Sequence, residues 1–388
     1  MVKNVVLSSL AVLALFGGTA IAQGHRTTAV RIPASVTANT FDRFKHQSRF
    51  AKFNHLSAES KGLIQAGAQE SNGRLPSFPT FNDSFNFGGT NFPYTMVGHH
   101  PRAGGEVRVD TSFIVLNFLF DEFLDDNGNN LFIDSAPIVN DVIGSPNYVA
   151  TPYSTGFAQF SDAVQRASFF NVMRSNWHTS IERPRMLKPV TIEVPIGQAS
   201  VSRAANGKFI AFVNGDFLFS QIRTILQLED IRTNELPVLL SRNVSADVFL
   251  GFHDAFDVQV NNRKGIQTYT YTSWFDPDVI DPIFADATTI THEISEWVAD
   301  PFVNNIVPNG VIPDSGGACL NFLEVGDPIE FLPNQMAPIT VRGKVYHTQV
   351  ETTVQWFSRE VPSSAFAGAY SYPDTTVLTA PSDPCPTP

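Results

Sequence analysis

The stretch Thr291-His292-Glu293-Ile294-Ser295-Glu296-Trp297 sets one imidazole and two carboxylates close together in a helical pattern. Positions i and i+4 of a helix project from the same face, so His292 and Glu296 can grip one cation while Glu293 stands beside it. Zinc accepts imidazole nitrogen and carboxylate oxygen, and a site that does chemistry needs three protein ligands and an open position for water. The third ligand must come from elsewhere. Glu324, in Leu323-Glu324-Val325-Gly326-Asp327-Pro328, is the first choice. Asp327 is the second, as a ligand or as an acceptor that orients His292. Gly326 between them reads as the residue that lets the backbone turn tightly. Glu293 is then the general base for a water at the ion. One imidazole with two carboxylates is a hard, negative donor set, so calcium and manganese stay open beside zinc. An amphipathic helix turning three polar residues to solvent is the competing reading.

The helix that must carry these groups is expected to start near Asp286, whose carboxylate can cap free amides. Ile290, Ile294 and Trp297 fall on one apolar stripe, away from the three polar residues. Asp300-Pro301 stops the helix, because the residue before a proline disfavours the helical basin. Strands are expected at 112–120 (led in by 107–110), 190–194, 209–213, 238–240, 248–250 and 269–275, and helices at 162–173 and 217–228. No fixed-period repeat and no sharp composition break interrupts residues 95–375. The mixture predicts one α+β domain over 94–375, with a mixed or antiparallel sheet packed on the metal-binding helix.

Other histidines and loops compete for a role. His253, in Gly251-Phe252-His253-Asp254, is read as a loop histidine bonded to Asp254 or to backbone, with an extra ligand or transition-state donor as the alternative. His347, next to Tyr346, is a weaker candidate of the same kind, and His99-His100 sit in a Gly/Pro-flanked loop expected to be exposed. Asp314-Ser315-Gly316-Gly317 resembles a serine-nucleophile loop, but Pro313 stands where such loops have glycine, and it is read as a Gly-rich turn. Asp125-Asp126-Asn127-Gly128-Asn129-Asn130 is read as a hairpin turn, because the ligand spacing of a calcium loop is not met.

The chain has 388 residues, a net charge of −11 and 16% charged residues, which argues against wholesale disorder and against nucleic acid or anionic membrane as partner. Its 33 phenylalanines, 26 prolines and 25 glycines point to short strands and structured loops rather than a helical bundle. Residues 1–22 read as a signal peptide: Lys3, then an apolar run too short to span a membrane, then Ala20-Ile21-Ala22. No transmembrane segment is expected, and the chain is read as secreted and extracellular. Residues 23–93 read as an irregular N-terminal arm or pro-region, and 376–388 as a Pro-rich tail. An oxidising compartment favours pairing of Cys319 with Cys385. Asn82-Asp83-Ser84 and Asn243-Val244-Ser245 are glycosylation sequons.

His292-Glu293-x-x-Glu296 with a downstream glutamate, Glu324, resembles the zincin metallopeptidases, particularly the branch using glutamate as third ligand, and it differs from them at Glu296, where they have histidine. The resemblance implies a zincin-like fold and a secreted zinc hydrolase acting on peptide or protein, with His292 and Glu296 as ligands, Glu324 or Asp327 completing the set, and Glu293 as base. Gly251-Phe252-His253, the aromatic strand ending at Trp274 and the Asp300-Pro301-Phe302-Val303-Asn304 step resemble the EXORDIUM-like secreted proteins of plant cell walls. That second resemblance implies a non-catalytic extracellular protein with a structural metal or none.

Overall fold

The computed structural model describes residues 78–386, apart from 230, 248, 261–262 and 281–282. The expected signal peptide and residues 23–77 of the expected arm lie outside the described residues. Regular structure begins before Tyr94: Thr80–Phe87 pairs antiparallel with Thr90–Val97 around Gly88 and Gly89, both at positive φ as a two-residue hairpin turn requires. The Pro/Asn/Gly content there resembles a linker. Yet Phe81, Phe85 and Phe87 recur at a period of two, Phe85 stacks on Phe92 at 5.5 Å, and Phe81 reaches the core beside Trp177.

The framework is a mixed sheet built on the 19-residue strand Glu106–Leu124, whose centre is buried on both faces, as the continuous apolar run from Phe113 to Leu116 demands. Glu235–Arg242 runs parallel to it, and Arg263–Trp274 parallel to that. Phe252–Val260 closes the edge antiparallel. Val190–Val194 pairs parallel with the long strand, and Asn130–Ile133 pairs antiparallel after the expected Asp125 turn, where Asp125 Oδ1 accepts the amides of Asn127 and Asn129. The architecture is therefore α+β and sheet-rich.

Several local expectations need correction. The helix expected over 162–173 spans Phe160–Ser168, because Phe169 leaves helical geometry to pack edge-on against Trp177 and Phe81. The strand expected over 248–250 is absent at its described residues: Phe249 and Leu250 belong to a loop, and residue 248 lies outside the described residues. The second helix starts at Gly215 rather than Phe217, because Asn214 accepts the Phe217 amide as N-cap.

The motif helix is Thr288–Ala299, and it lies across Arg263–Trp274. Ile290, Ile294 and Trp297 form the expected stripe, buried with Ala255, Ile266 and Trp274. Each such side chain contributes on the order of 1.5–3 kcal/mol by leaving water. Trp297 Nε1 also donates to Thr268 Oγ1 at 3.0 Å, which locks rotation about the helix axis. Asp286 does not cap this helix. It sits at φ 35° with its carboxylate turned to the backbone amide and ring of His347, so the N-cap residue is Ala287. The stop at Asp300-Pro301 is as expected, and the freed Asp300 carboxylate accepts the amides of Asn304 and Asn305 at 3.0 Å each.

Cys319 and Cys385 form a disulfide with Cα atoms 6.1 Å apart, which ties the tail to the Ile306–Val311 and Cys319–Phe322 hairpin. Of the two sequons, Asn82 is exposed, whereas Asn243 is buried and donates its amide to Asp276. Among the described residues, no helix is long and apolar enough to cross a membrane.

Candidate metal centre

The polar side of the motif helix does not face water. His292, Glu293 and Glu296 are 8%, 3% and 4% exposed, so the competing picture of three solvated side chains does not describe this helix. They face a small cavity walled by Phe249, Leu250, Phe252, Phe284 and Val303. Glu324, Asp327, Glu330, Gln349 and His253 complete the polar lining.

Around His292 the donors converge. Its Nε2 stands 3.1 Å from Glu296 Oε2, 3.6 Å from Asp327 Oδ1 and 3.9 Å from Glu293 Oε1. Donor atoms about 2.1 Å from one tetrahedral ion stand about 3.4 Å apart, so these spacings suit ligands of a common cation. Glu296 is oriented by its other oxygen, which accepts the amides of Gly326 at 3.0 Å and Asp327 at 3.3 Å. That leaves Oε2 for the site, the arrangement by which an outer hydrogen bond aims a carboxylate ligand. Gln349 clamps the loop by donating to Gly326 O at 2.7 Å, and Thr352 N donates to Val325 O. Asp327, the second choice from sequence, is thus the acid beside His292. Gly326 is needed for a different reason from the one expected: its φ is not positive, but a Cβ there would collide with the His292 ring.

Glu324, the first choice, approaches His253 instead, with Oε2 3.6 Å from Nε2. His253 is not a loop residue bonded to Asp254. It lies on the edge strand Phe252–Val260, where alternation puts Phe252, Asp254 and Phe256 on one face and His253 and Ala255 on the other. Ala255 packs with Ile290 and Ile294, so His253 faces the motif helix. The backbone half of the expectation holds, since His253 Nε2 pairs with Asp300 O at 3.0 Å. Its Nδ1 then lies 3.6 Å from Glu296 Oε2 and 3.7 Å from Glu293 Oε2. Gly251 allows this approach, because a Cβ there would stand 2.6 Å from Glu293 Oε1. The signal that could have found His253 was the Phe-His-Asp-Ala-Phe alternation, which assigns it to the same face as the small Ala255.

The electrostatics describe a centre short of positive charge. Burial pushes Glu293 up, and it pushes Glu324 and Glu351 far up, with Glu296 adding to the shift at Glu324. Asp300 is pushed up to about 6, chiefly by burial. Burial would also raise Glu296, but His292 outweighs it and holds that carboxyl below the usual range. Burial would lower both imidazoles; the carboxylates reverse it, leaving His253 raised and His292 raised well above its ordinary value. Glu293 Oε2, Glu324 Oε2 and both oxygens of Glu351 lack a hydrogen-bond donor. Buried carboxylates in that condition are costly unless a cation or a proton meets them.

The other candidates stand apart. His347 Nδ1 pairs with Asp286 Oδ2 at 2.7 Å, His99 is exposed and His100 half-buried, and none of them lines the cavity. Ser315 Oγ is spent within its own turn, donating to Ile312 O and accepting from Ala318 N. Comparison of the chain with protein-family models, with curated proteins and with solved structures finds no match in any of the three.

Proposed function

We propose that this chain is a secreted metal-dependent hydrolase, a metallopeptidase of zincin-like design, with His292, Glu296 and Asp327 as its metal ligands. One observation carries the reading: Nε2 of His292 and one carboxylate oxygen each from Glu296 and Asp327 lie within 4.8 Å of one another on a cavity wall, with Glu293 beside them. Zinc is the first candidate ion, and the carboxylate-rich donor set keeps manganese and calcium open. The ion would supply Lewis acidity, polarising the substrate carbonyl and lowering the pKa of a water.

The rest of the chemistry belongs to the chain. Glu293, raised by burial, is suited to take a proton from the attacking water. The water oxygen bonds to the carbonyl carbon, the C–N bond breaks, and Glu293 returns the proton to the departing amine. The motif helix, laid on a mixed sheet and bordered by an antiparallel edge strand, supports the zincin-like reading. The Cys319–Cys385 bond and the leader composition of residues 1–22 support export.

Substitution of Glu293 by Gln tests the proposal. The variant is expected to keep the ion at the His292 ligands, read by elemental analysis, and to lose about 10²–10⁴-fold in peptide hydrolysis. Retained hydrolysis would remove Glu293 as base. Wild-type metal content in a His292→Ala variant would remove the metal assignment and with it the metallohydrolase reading.

A further inference from the structure

The donor atoms form two groups rather than one. His292, Glu296 and Asp327 make the first; His253, Glu293 and Glu296 make the second, again with every ligand atom within 4.8 Å of the others. Glu296 belongs to both, and the same atom serves each: Oε2 is 3.1 Å from His292 Nε2 and 3.6 Å from His253 Nδ1. Glu293 divides its oxygens, Oε1 facing His292 at 3.9 Å and Oε2 facing His253 at 3.7 Å.

His253 shows what the second group is for. Asp300 O can only accept, so Nε2 of His253 carries a hydrogen, and in the neutral ring the Nδ1 lone pair is directed at Glu293 and Glu296. For the neutral ring, a lone pair facing two carboxylates is repulsive unless a cation lies between them. The 3.6 and 3.7 Å separations from Nδ1 exceed hydrogen-bond reach. They match the roughly 3.4 Å expected between ligands of one ion. The carbonyl behind Nε2 is the partner that metal-bound imidazoles characteristically have. Glu293 Oε2, on a side chain 4% exposed, has no donor, and neither does Glu324 Oε2, on a side chain 5% exposed and 3.6 Å from the same ring.

We propose that a second divalent transition-metal cation binds between His253 Nδ1, Glu293 Oε2 and Glu296 Oε2, with Glu296 bridging a two-ion centre. The proposal deepens the His292 metal reading and rests on it. Two-ion hydrolases hold both the attacking and the leaving atom of the substrate, and Glu293 Oε1 remains turned to the first site for the proton of the water.

The test is the ion count of the full chain, stripped with chelator and titrated with Zn²⁺ or Mn²⁺, by calorimetry and elemental analysis. The wild type is expected to bind two ions and His253→Gln one. Glutamine can still donate an amide N–H to Asp300 O, so it keeps the edge strand pinned; circular dichroism checks the fold. With Mn²⁺, the wild type is expected to give an exchange-coupled EPR signal that His253→Gln lacks. One ion in both proteins would overturn the second site and leave the His292 reading intact. One ion in the wild type and none in the variant would place His253 in a single site and also overturn it. Two ions in both would put the second ion elsewhere. No ion in the wild type would end both readings.

Discussion

Two histidine–carboxylate arrangements in this molecule use the same residue types to opposite effect. Asp286 and His347 make a closed pair: Nδ1 to Oδ2 is 2.7 Å, and Asp286 Oδ1 takes the amides of His347 and Ala287. Asp162 and His178 repeat that pattern at 2.6 Å, with the Thr179 amide on the second oxygen. The centre around His292 and His253 is open. Most of its contacts run from 3.6 to 3.9 Å, its side chains are almost fully buried, and several oxygens have no donor. A closed pair meets its own charge and holds a loop. An open, buried cluster leaves carboxylates that a cation or a proton must meet.

The sharpest way to break that contrast is Glu296→Ala. Glu296 Oε2 belongs to both donor groups, so the variant is expected to lose all bound ion by elemental analysis and to fall to background hydrolysis. Full metal retention would show that the gap is not a cation site.

A titration of metal-stripped protein distinguishes the two regions next. Asp300, raised to about 6, and Glu293, Glu324 and Glu351, also raised, bind more protons folded than unfolded. Their contribution is therefore favourable in acid and is lost as pH rises through the folded values. The raised His253 and His292 act in the same direction, present below the unfolded imidazole value and lost above the folded one, while Glu296, held low, opposes. The thermal midpoint is expected to fall from about pH 4.5 to pH 6.5 on this account. Added Zn²⁺ should remove that fall by replacing the protons.

A smaller effect is expected from Gly326→Ala, whose Cβ must displace the His292 ring. Overpacking of this kind costs about 1–3 kcal/mol, or roughly 5–150-fold in ion affinity if the strain falls on the ligand. Calorimetry of the titrated ion checks it. The smallest effect belongs to the closed pair. His347→Ala is expected to leave ion content unchanged and to cost about 1 kcal/mol or less in a denaturant melt, because the ring is well exposed.

Much of this was legible in the letters. The helix, its apolar stripe and its proline stop follow from local periodicity and backbone sterics, and so do the strands at 112–120, 190–194 and 209–213. The i, i+4 relation of His292 and Glu296 is likewise local, because a helix alone brings them to one face. What chain order could not supply was anything joined through space. Glu324 and Asp327 lie three apart in one loop, yet the clamp by Gln349 and the collision surface at Gly326 send Asp327 to His292 and Glu324 to His253. Asp286 looked like a cap and became the partner of His347, because a strand from elsewhere offered it an amide and a ring. His253 was weighed as a structural histidine; its place depends on the edge strand pairing with Arg263–Trp274 and on the helix crossing that sheet. Local sequence determines which faces exist. Only the packing of those faces decides which side chains share a buried gap, since that depends on contacts between residues far apart in the chain.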